Sequence, residues 1–181
     1  MGARDLTLVF GGTGSGKSLH AEQLVLGTGL EPVYVATAIV EDDEEMARRV
    51  AAHRARRGAG WTLVEAPFEL ALAIERESRP GRALLVEDLT LWLANLLAAG
   101  ADFESAIHGL LAALERAAGP VVVVSNEVGA GGVAAHPLAR RFADLQGKLN
   151  QDVAAIAGRV ILVAAGLPLT LKPAPQKEPV T

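Results

Sequence analysis

One stretch of eight residues, Gly11-Gly12-Thr13-Gly14-Ser15-Gly16-Lys17-Ser18, limits what this chain can fold into. It follows an apolar run, Leu6 to Phe10, and opens a helical pattern from Leu19 to Leu26. That is G-x-x-x-x-G-K-[ST] in a strand–loop–helix setting, the phosphate-binding loop. Each residue type has a physical task. Glycines let the backbone curl and turn its N–H groups inward, which makes a concave nest for anions. A helix starting near Lys17 adds the positive end of its dipole. Lys17 can reach the β- and γ-phosphates of a nucleotide, and the Ser18 hydroxyl is a magnesium ligand. The chain is expected to bind a nucleoside triphosphate.

At 181 residues the chain is long enough to bury a sizeable core, and one domain over residues 1–172 is expected. Half the residues are hydrophobic and 21% are charged, a globular balance. There is no cysteine, which removes disulfides, thiolate metal sites and a thiol nucleophile, and suits a cytoplasmic protein. A net charge of −4 argues against a general nucleic-acid binder. The greasiest stretch, Leu89 to Ala99, is far short of a bilayer span, and no signal-peptide layout opens the chain.

Strand and helix patterns alternate after the loop. The expected architecture is therefore α/β of the P-loop NTPase (RecA-like) type, a mainly parallel sheet flanked by helices. Expected strands cover Val33–Ala36, Trp61–Val64, Ala83–Val86, Val121–Val124 and Arg159–Ala164. Gly166-Leu167-Pro168 is expected to turn the last of these into an antiparallel edge strand, Leu169 to Lys172. Expected helices run from Asp42 to Arg57, Pro67 to Ser78, Leu89 onward, Phe103 to Ala118 and Pro137 to Ala157. The helix from Leu89 is apolar almost all round and should be deeply buried. The helix from Pro137 presents Leu138, Phe142, Leu145 and Leu149 as its stripe. Val128 to His136 carries three glycines and reads as a flap, and residues 173–181 read as a disordered tail.

A phosphate loop needs a second carboxylate to orient magnesium, at the end of a neighbouring apolar strand. Glu87 and Asp88 both stand at such an end, and position alone does not choose between them. Asp88 also suits the N-cap of the following helix. His53 lies among Arg48, Arg49, Arg54, Arg56 and Arg57. Basic residues belong near a helix C-terminus, so a solvated face is one reading. The other is a phosphate-facing imidazole, kept neutral and nucleophilic by the surrounding cations. His20, His108 and His136 read as two helix residues, the first on the surface, and a loop residue.

With these residues in hand the chain resembles the bifunctional adenosylcobinamide kinase / adenosylcobinamide-phosphate guanylyltransferases of cobalamin biosynthesis. The matching pieces include Gly11-Gly12 with Ser15 to Ser18, Val35-Ala36-Thr37-Ala38, and Glu45-Met46 followed by His53 and Arg57. Trp61, Glu65, the Glu87 to Asn95 segment, Ser125 to Gly129, Leu138-Ala139-Arg140, Gly147, Leu149-Asn150-Gln151 and Gly166-Leu167-Pro168 with Lys172 complete the series.

The resemblance implies phosphorylation of adenosylcobinamide by ATP or GTP, then GMP transfer from GTP through a guanylylated histidine, which falls on His53. It implies nucleotide contacts from Gly11, Gly12, Thr13, Gly14, Ser15, Gly16, Lys17, Ser18, Val35, Ala36, Thr37, Arg54, Ala55, Arg56, Arg57, Glu65 and Glu87. Magnesium would lie on Ser18 and Glu87, with Glu87 favoured because Asp88 stands where the family has cysteine. A homotrimer is implied as well. Gly14, Ala134 and Ala143 replace a usual arginine, proline and arginine of the family. The first change removes a cation near the phosphates and leaves the choice between ATP and GTP open. The other two bear on substrate positioning by the flap and the long helix. Two other functions stand beside this one: a plain kinase with a structural His53, and a GTP-driven switch. The switch reading lacks its Asn-Lys-x-Asp sequence, since Asn126-Glu127-Val128-Gly129 occupies that place.

Overall fold

The computed structural model describes residues 5–39, 60–129, 131–132 and 136–173. The expected helix from Asp42 to Arg57, with His53, Arg54, Ala55, Arg56 and Arg57, lies outside the described residues. So do four residues of the expected flap (130 and 133–135) and the tail from 174 onward.

Seven strands form one sheet in the order β3-β2-β4-β5-β1-β6-β7. They are β1 (Leu6–Gly11), β2 (Glu31–Ala36), β3 (Thr62–Glu65), β4 (Arg82–Glu87), β5 (Val121–Asn126), β6 (Arg159–Ala164) and β7 (Leu167–Lys172). All pairs are parallel except β6 with β7. The inner strands are continuous apolar runs because both faces are covered. Leu84, Val121 and Val123 face one core, and Leu85, Val122 and Val124 face the other. The first core lies under α2 (Leu70–Glu77), α3 (Leu89–Ala98), α4 (Phe103–Glu115) and α5 (Pro137–Ile156). The second lies under α1 (Lys17–Leu26), which packs across β1, β4, β5 and β6.

Several boundaries differ from expectation for identifiable reasons. The helix expected from Pro67 begins at Leu70. The carbonyl of Pro67 accepts from Asn95 Nδ2, and that of Phe68 accepts from Trp92 Nε1, so neither is free for a helical ladder. The helix expected to reach Ala118 stops at Glu115. There the amides of Ala118 and Gly119 turn to Ser78 Oγ instead. The turn expected at Gly166-Leu167-Pro168 is made by Ala165 and Gly166, both with positive φ, and Leu167 and Pro168 already belong to β7.

Helix α3 is buried on one side only. Leu89, Trp92, Leu93 and Leu96 face the core, while Leu97 is half-buried and Ala98 exposed. Helix α5 differs most. Of its expected stripe only Leu149 is fully buried, Phe142 and Leu145 are partly so, and Leu138 is 53% exposed. The reason is height. Asn150 meets the end of β5 through Asn126 O, and the amide of Gly158 meets the start of β1 through Leu6 O. The front half of α5 therefore projects past the carboxyl edge of the sheet, where no strand lies beneath it.

Leu149 is the point at which α5 enters the main core. Leu149→Ala is expected to lower unfolding free energy by about 2–5 kcal/mol. A urea titration checks it: the midpoint should fall while the slope stays unchanged.

Candidate active site

The phosphate loop closes on itself and on its neighbours through the backbone. The amide of Ser15 donates to Gly12 O, that of His20 to Gly16 O, and that of Gly166 to Ser15 O at 2.8 Å. Gly16 caps α1 with φ 91°, and a Cβ on it would stand 3.2 Å from Gly166 Cα. Gly11 is tighter still: a Cβ there would stand 2.3 Å from Val163 O. Glycine at these two positions lets the loop lie flat on the β6–β7 turn. Lys17 is buried, and its Nζ donates to Gly12 O at 3.2 Å, so the ammonium folds back over the loop.

The second carboxylate comes from a strand that does not touch β1. In the order β4-β5-β1, the end of β5 separates them. Helix α1 bridges the gap, and Ser18 Oγ donates to Glu87 Oε1 at 2.5 Å. Glu87 as a residue is half-buried, but its Oε2 is shielded from solvent and has no hydrogen-bond partner among the described residues. Burial pushes the Glu87 carboxyl up to about 8, and the neighbouring Asp88 charge adds to the rise. The Ser18 hydrogen bond and the Lys17 charge oppose it. A shielded carboxyl oxygen beside a serine hydroxyl is a hard, all-oxygen donor set, and a bound magnesium would favour its ionised form.

Asp88 is occupied otherwise. Its Oδ1 accepts from the amide of Leu91, which makes it the N-cap of α3, and its Oδ2 accepts from Asn126 Nδ2. Burial raises this carboxyl too. The two carboxylates that position alone left equal are thus distinguished by their partners.

The remaining sequence-predicted residues divide. Val35 is fully buried inside β2, Ala36 ends that strand, and Glu65 ends β3 opposite it and is exposed. Thr37 is fully buried. Its Oγ1 donates to Glu87 O at 3.0 Å and Asp88 O at 2.7 Å and accepts from the Asp88 amide at 2.8 Å. Its hydroxyl therefore braces the junction that carries Glu87. His20, expected on the surface, is half-buried, and its Nε2 is shielded without a hydrogen-bond partner among the described residues. Burial and the Arg159 charge hold its pKa below the usual histidine range. His136 caps α5 through Nδ1, and His108 is exposed.

Residue-type reasoning alone passed over a polar knot at the end of β5. Ser125 Oγ donates to Asn150 Oδ1 at 2.6 Å, Gln146 Nε2 donates to Ser125 Oγ at 2.8 Å, and Asn150 Nδ2 donates to Asn126 O. The Asn126 amide donates to Thr90 Oγ1, and the Glu127 amide to Gly11 O. Gln146, completely buried on α5, gives no pattern that could have flagged it.

With loop, carboxylate and brace at one sheet edge, the comparisons become informative. A family model, CobU: cobinamide kinase / cobinamide phosphate guanyltransferase, matches residues 7–171. The chain belongs to this family. It is 45% identical over 172 residues to the bifunctional adenosylcobalamin biosynthesis protein CobP of Pseudomonas aeruginosa, covering 93% of this chain and 98% of that protein. It is 37% identical over 182 residues to the bifunctional adenosylcobalamin biosynthesis protein CobU of Escherichia coli strain K12, covering 92% and 99%. Among solved structures, the flagellar accessory protein FlaH of Methanocaldococcus jannaschii matches with a TM-score of 0.55 at 14% identity, over 96% of this chain and 80% of that one. That likeness speaks for the P-loop fold alone. CobU membership makes the chain an enzyme, with kinase and guanyltransferase activities joined in its family.

The buried Glu87 carboxyl has a consequence for stability. In the unfolded chain it has its ordinary value of 4.5, against about 8 when folded. Below 4.5 both states hold the proton. Between the two values the unfolded chain ionises and the folded one does not, so stability falls as pH rises, and the loss is complete above about 8. Glu87→Gln should therefore stabilise the nucleotide-free protein progressively across this window and change it little at the acid end. Thermal melting as a function of pH checks this, and a pH-independent difference would contradict a raised carboxyl.

Proposed function

We propose that this enzyme phosphorylates adenosylcobinamide with ATP or GTP and then transfers GMP from GTP to the product, giving adenosylcobinamide-GDP. The observation that carries the reading is the convergence of Lys17, Ser18 and Glu87 at one sheet edge, in a chain matched along residues 7–171 by the CobU family.

In the kinase step the inward-facing amides of Gly12 to Ser18 hold the phosphates, and Lys17 swings from Gly12 O onto the β- and γ-oxygens. The substrate hydroxyl attacks the γ-phosphorus, the bond to the bridging oxygen breaks, and the hydroxyl proton leaves to solvent or a nearby base. Magnesium, held by Ser18 and Glu87 when bound, supplies positive charge against the phosphoryl oxygens. Thr37 keeps the Glu87 junction in place from the end of β2.

In the transferase step a neutral His53 attacks the α-phosphorus of GTP and pyrophosphate leaves. An oxygen of the cobinamide phosphate then attacks the resulting phosphoramidate, and the imidazole departs. Arg54, Arg56 and Arg57 offset the charge that builds on the phosphoryl oxygens. Val35, Ala36, Ala55 and Glu65 are proposed to contact the nucleotide. Residues 1–172 act as one domain in a homotrimer. A cytoplasmic location is proposed from the cysteine-free composition and the biosynthetic family; among the described residues no helix is long and apolar enough to cross a membrane.

Incubation with GTP and magnesium is expected to leave one covalent GMP, visible by intact mass. His53→Ala should abolish the adduct while leaving phosphorylation of cobinamide largely intact, and an unmodified wild-type mass would leave only the kinase. Lys17→Ala should lower the phosphorylation rate by about 100-fold or more, measured with saturating cobinamide.

A further inference from the structure

Past the carboxyl edge of the sheet, an apolar cleft of about 740 Å³ opens between α3 and the projecting front of α5. Ala94 and Leu97 form one wall, Leu138 and Phe142 the other, and Phe103 closes the floor with the Arg141 guanidinium 5.4 Å from its ring centre. We propose that this cleft seats the corrin macrocycle of cobinamide, a reading that rests on the kinase function proposed above and names where its acceptor binds.

Size is the first argument. A cleft of this volume lies in the range that takes a whole organic ligand, of about 300–1,000 Å³. The phosphate loop offers amides and a cation and suits only the triphosphate. The acceptor is a broad ring rimmed by methyl and methylene groups, with amide arms around it, and it needs carbon-lined surface. The cleft supplies that, with polar groups confined to His136 and Arg141.

Placement is the second. Both walls hang from the strand ends that carry the phosphate chemistry. Helix α3 starts at Asp88, the residue after Glu87, and Asn95 Nδ2 reaches back to Thr37 O at 2.8 Å. Helix α5 is pinned to Ser125 and Asn126 by Gln146 and Asn150. From Asn150 back to Leu138 the helix rises about 18 Å at 1.5 Å per residue. The ring can therefore stand above the sheet edge and let its hydroxyl-bearing arm reach down to Lys17 and Glu87. Leu138, 53% exposed, extends the apolar stripe of Phe142, Leu145 and Leu149 to the mouth of the cleft.

Equilibrium dialysis of cobinamide against the full chain, read by corrin absorbance, tests this. Leu138→Glu places a charge on one wall and Ala98→Trp fills the cleft, both at exposed positions that do not threaten folding. Each should weaken cobinamide binding by about tenfold or more. Nucleotide affinity should change by less than about twofold. Leu26→Glu, on an exposed position of α1 outside the cleft, should change neither. Cobinamide affinity within about twofold of wild type in both cleft variants would overturn the proposal. So would a Leu138→Glu protein that sediments as a smaller species yet binds cobinamide normally, since the cleft would then be the seat of a second copy. The kinase reading fails separately: wild-type protein that binds cobinamide but transfers no phosphoryl group removes the reaction and leaves the cleft assignment standing.

Discussion

The contact between Ser18 and Glu87 is the constraint on which the rest of the architecture rests. It joins two strand ends that are not neighbours, because β5 lies between β1 and β4. The pair exists only if α1 leaves the phosphate loop and packs across β5 onto β4, which it does. It also buries a carboxyl at the sheet edge, where it gives up much of its solvation. The surrounding hydrogen bonds answer that cost by fixing geometry. Thr37 ties the end of β2 to the Glu87–Asp88 junction, and Asp88 ties it in turn to α3 and Asn126. Four strands thus register their carboxyl ends on one another within a few residues of Lys17.

That arrangement separates two kinds of chemistry in one small enzyme. Phosphate recognition is concentrated in backbone amides, one lysine and one shielded carboxyl, in a chain whose overall charge is −4. Attraction for a polyanion must then be local. The carbon-lined surface stands apart, between α3 and the overhanging front of α5.

Much of this was legible in the residues. Continuous apolar runs such as Leu84 to Val86 and Val121 to Val124 read as covered strands because a parallel α/β sheet buries both faces of its inner strands. The loop read as a phosphate nest because only glycine permits the approach seen at Gly11 and Gly16. Helix boundaries were less readable wherever a distant side chain captured a main-chain carbonyl, as Trp92 and Asn95 do at Phe68 and Pro67. Gln146 was unreadable for a like reason: its burial depends on Ser125, 21 residues away in sequence. Leu138 misled because periodicity reports which face is apolar and not whether a strand lies opposite it. His53 and its arginines fall outside the described residues, so their reading still rests on sequence and family.

Among the described residues, helix α5 is hydrogen-bonded to the sheet at two places. Its middle is knotted to the β5 end through Asn150 and Gln146, and its last carbonyls, Ala154 and Ala155, accept from Lys172 on β7. The turns ahead of Gln146 overhang the sheet without a strand below them. Mechanically this is a cantilever, clamped at root and waist. A slight tilt at the knot is magnified toward the tip in proportion to the length of the overhang, so rearrangement at Asn126 would be felt most where the helix begins.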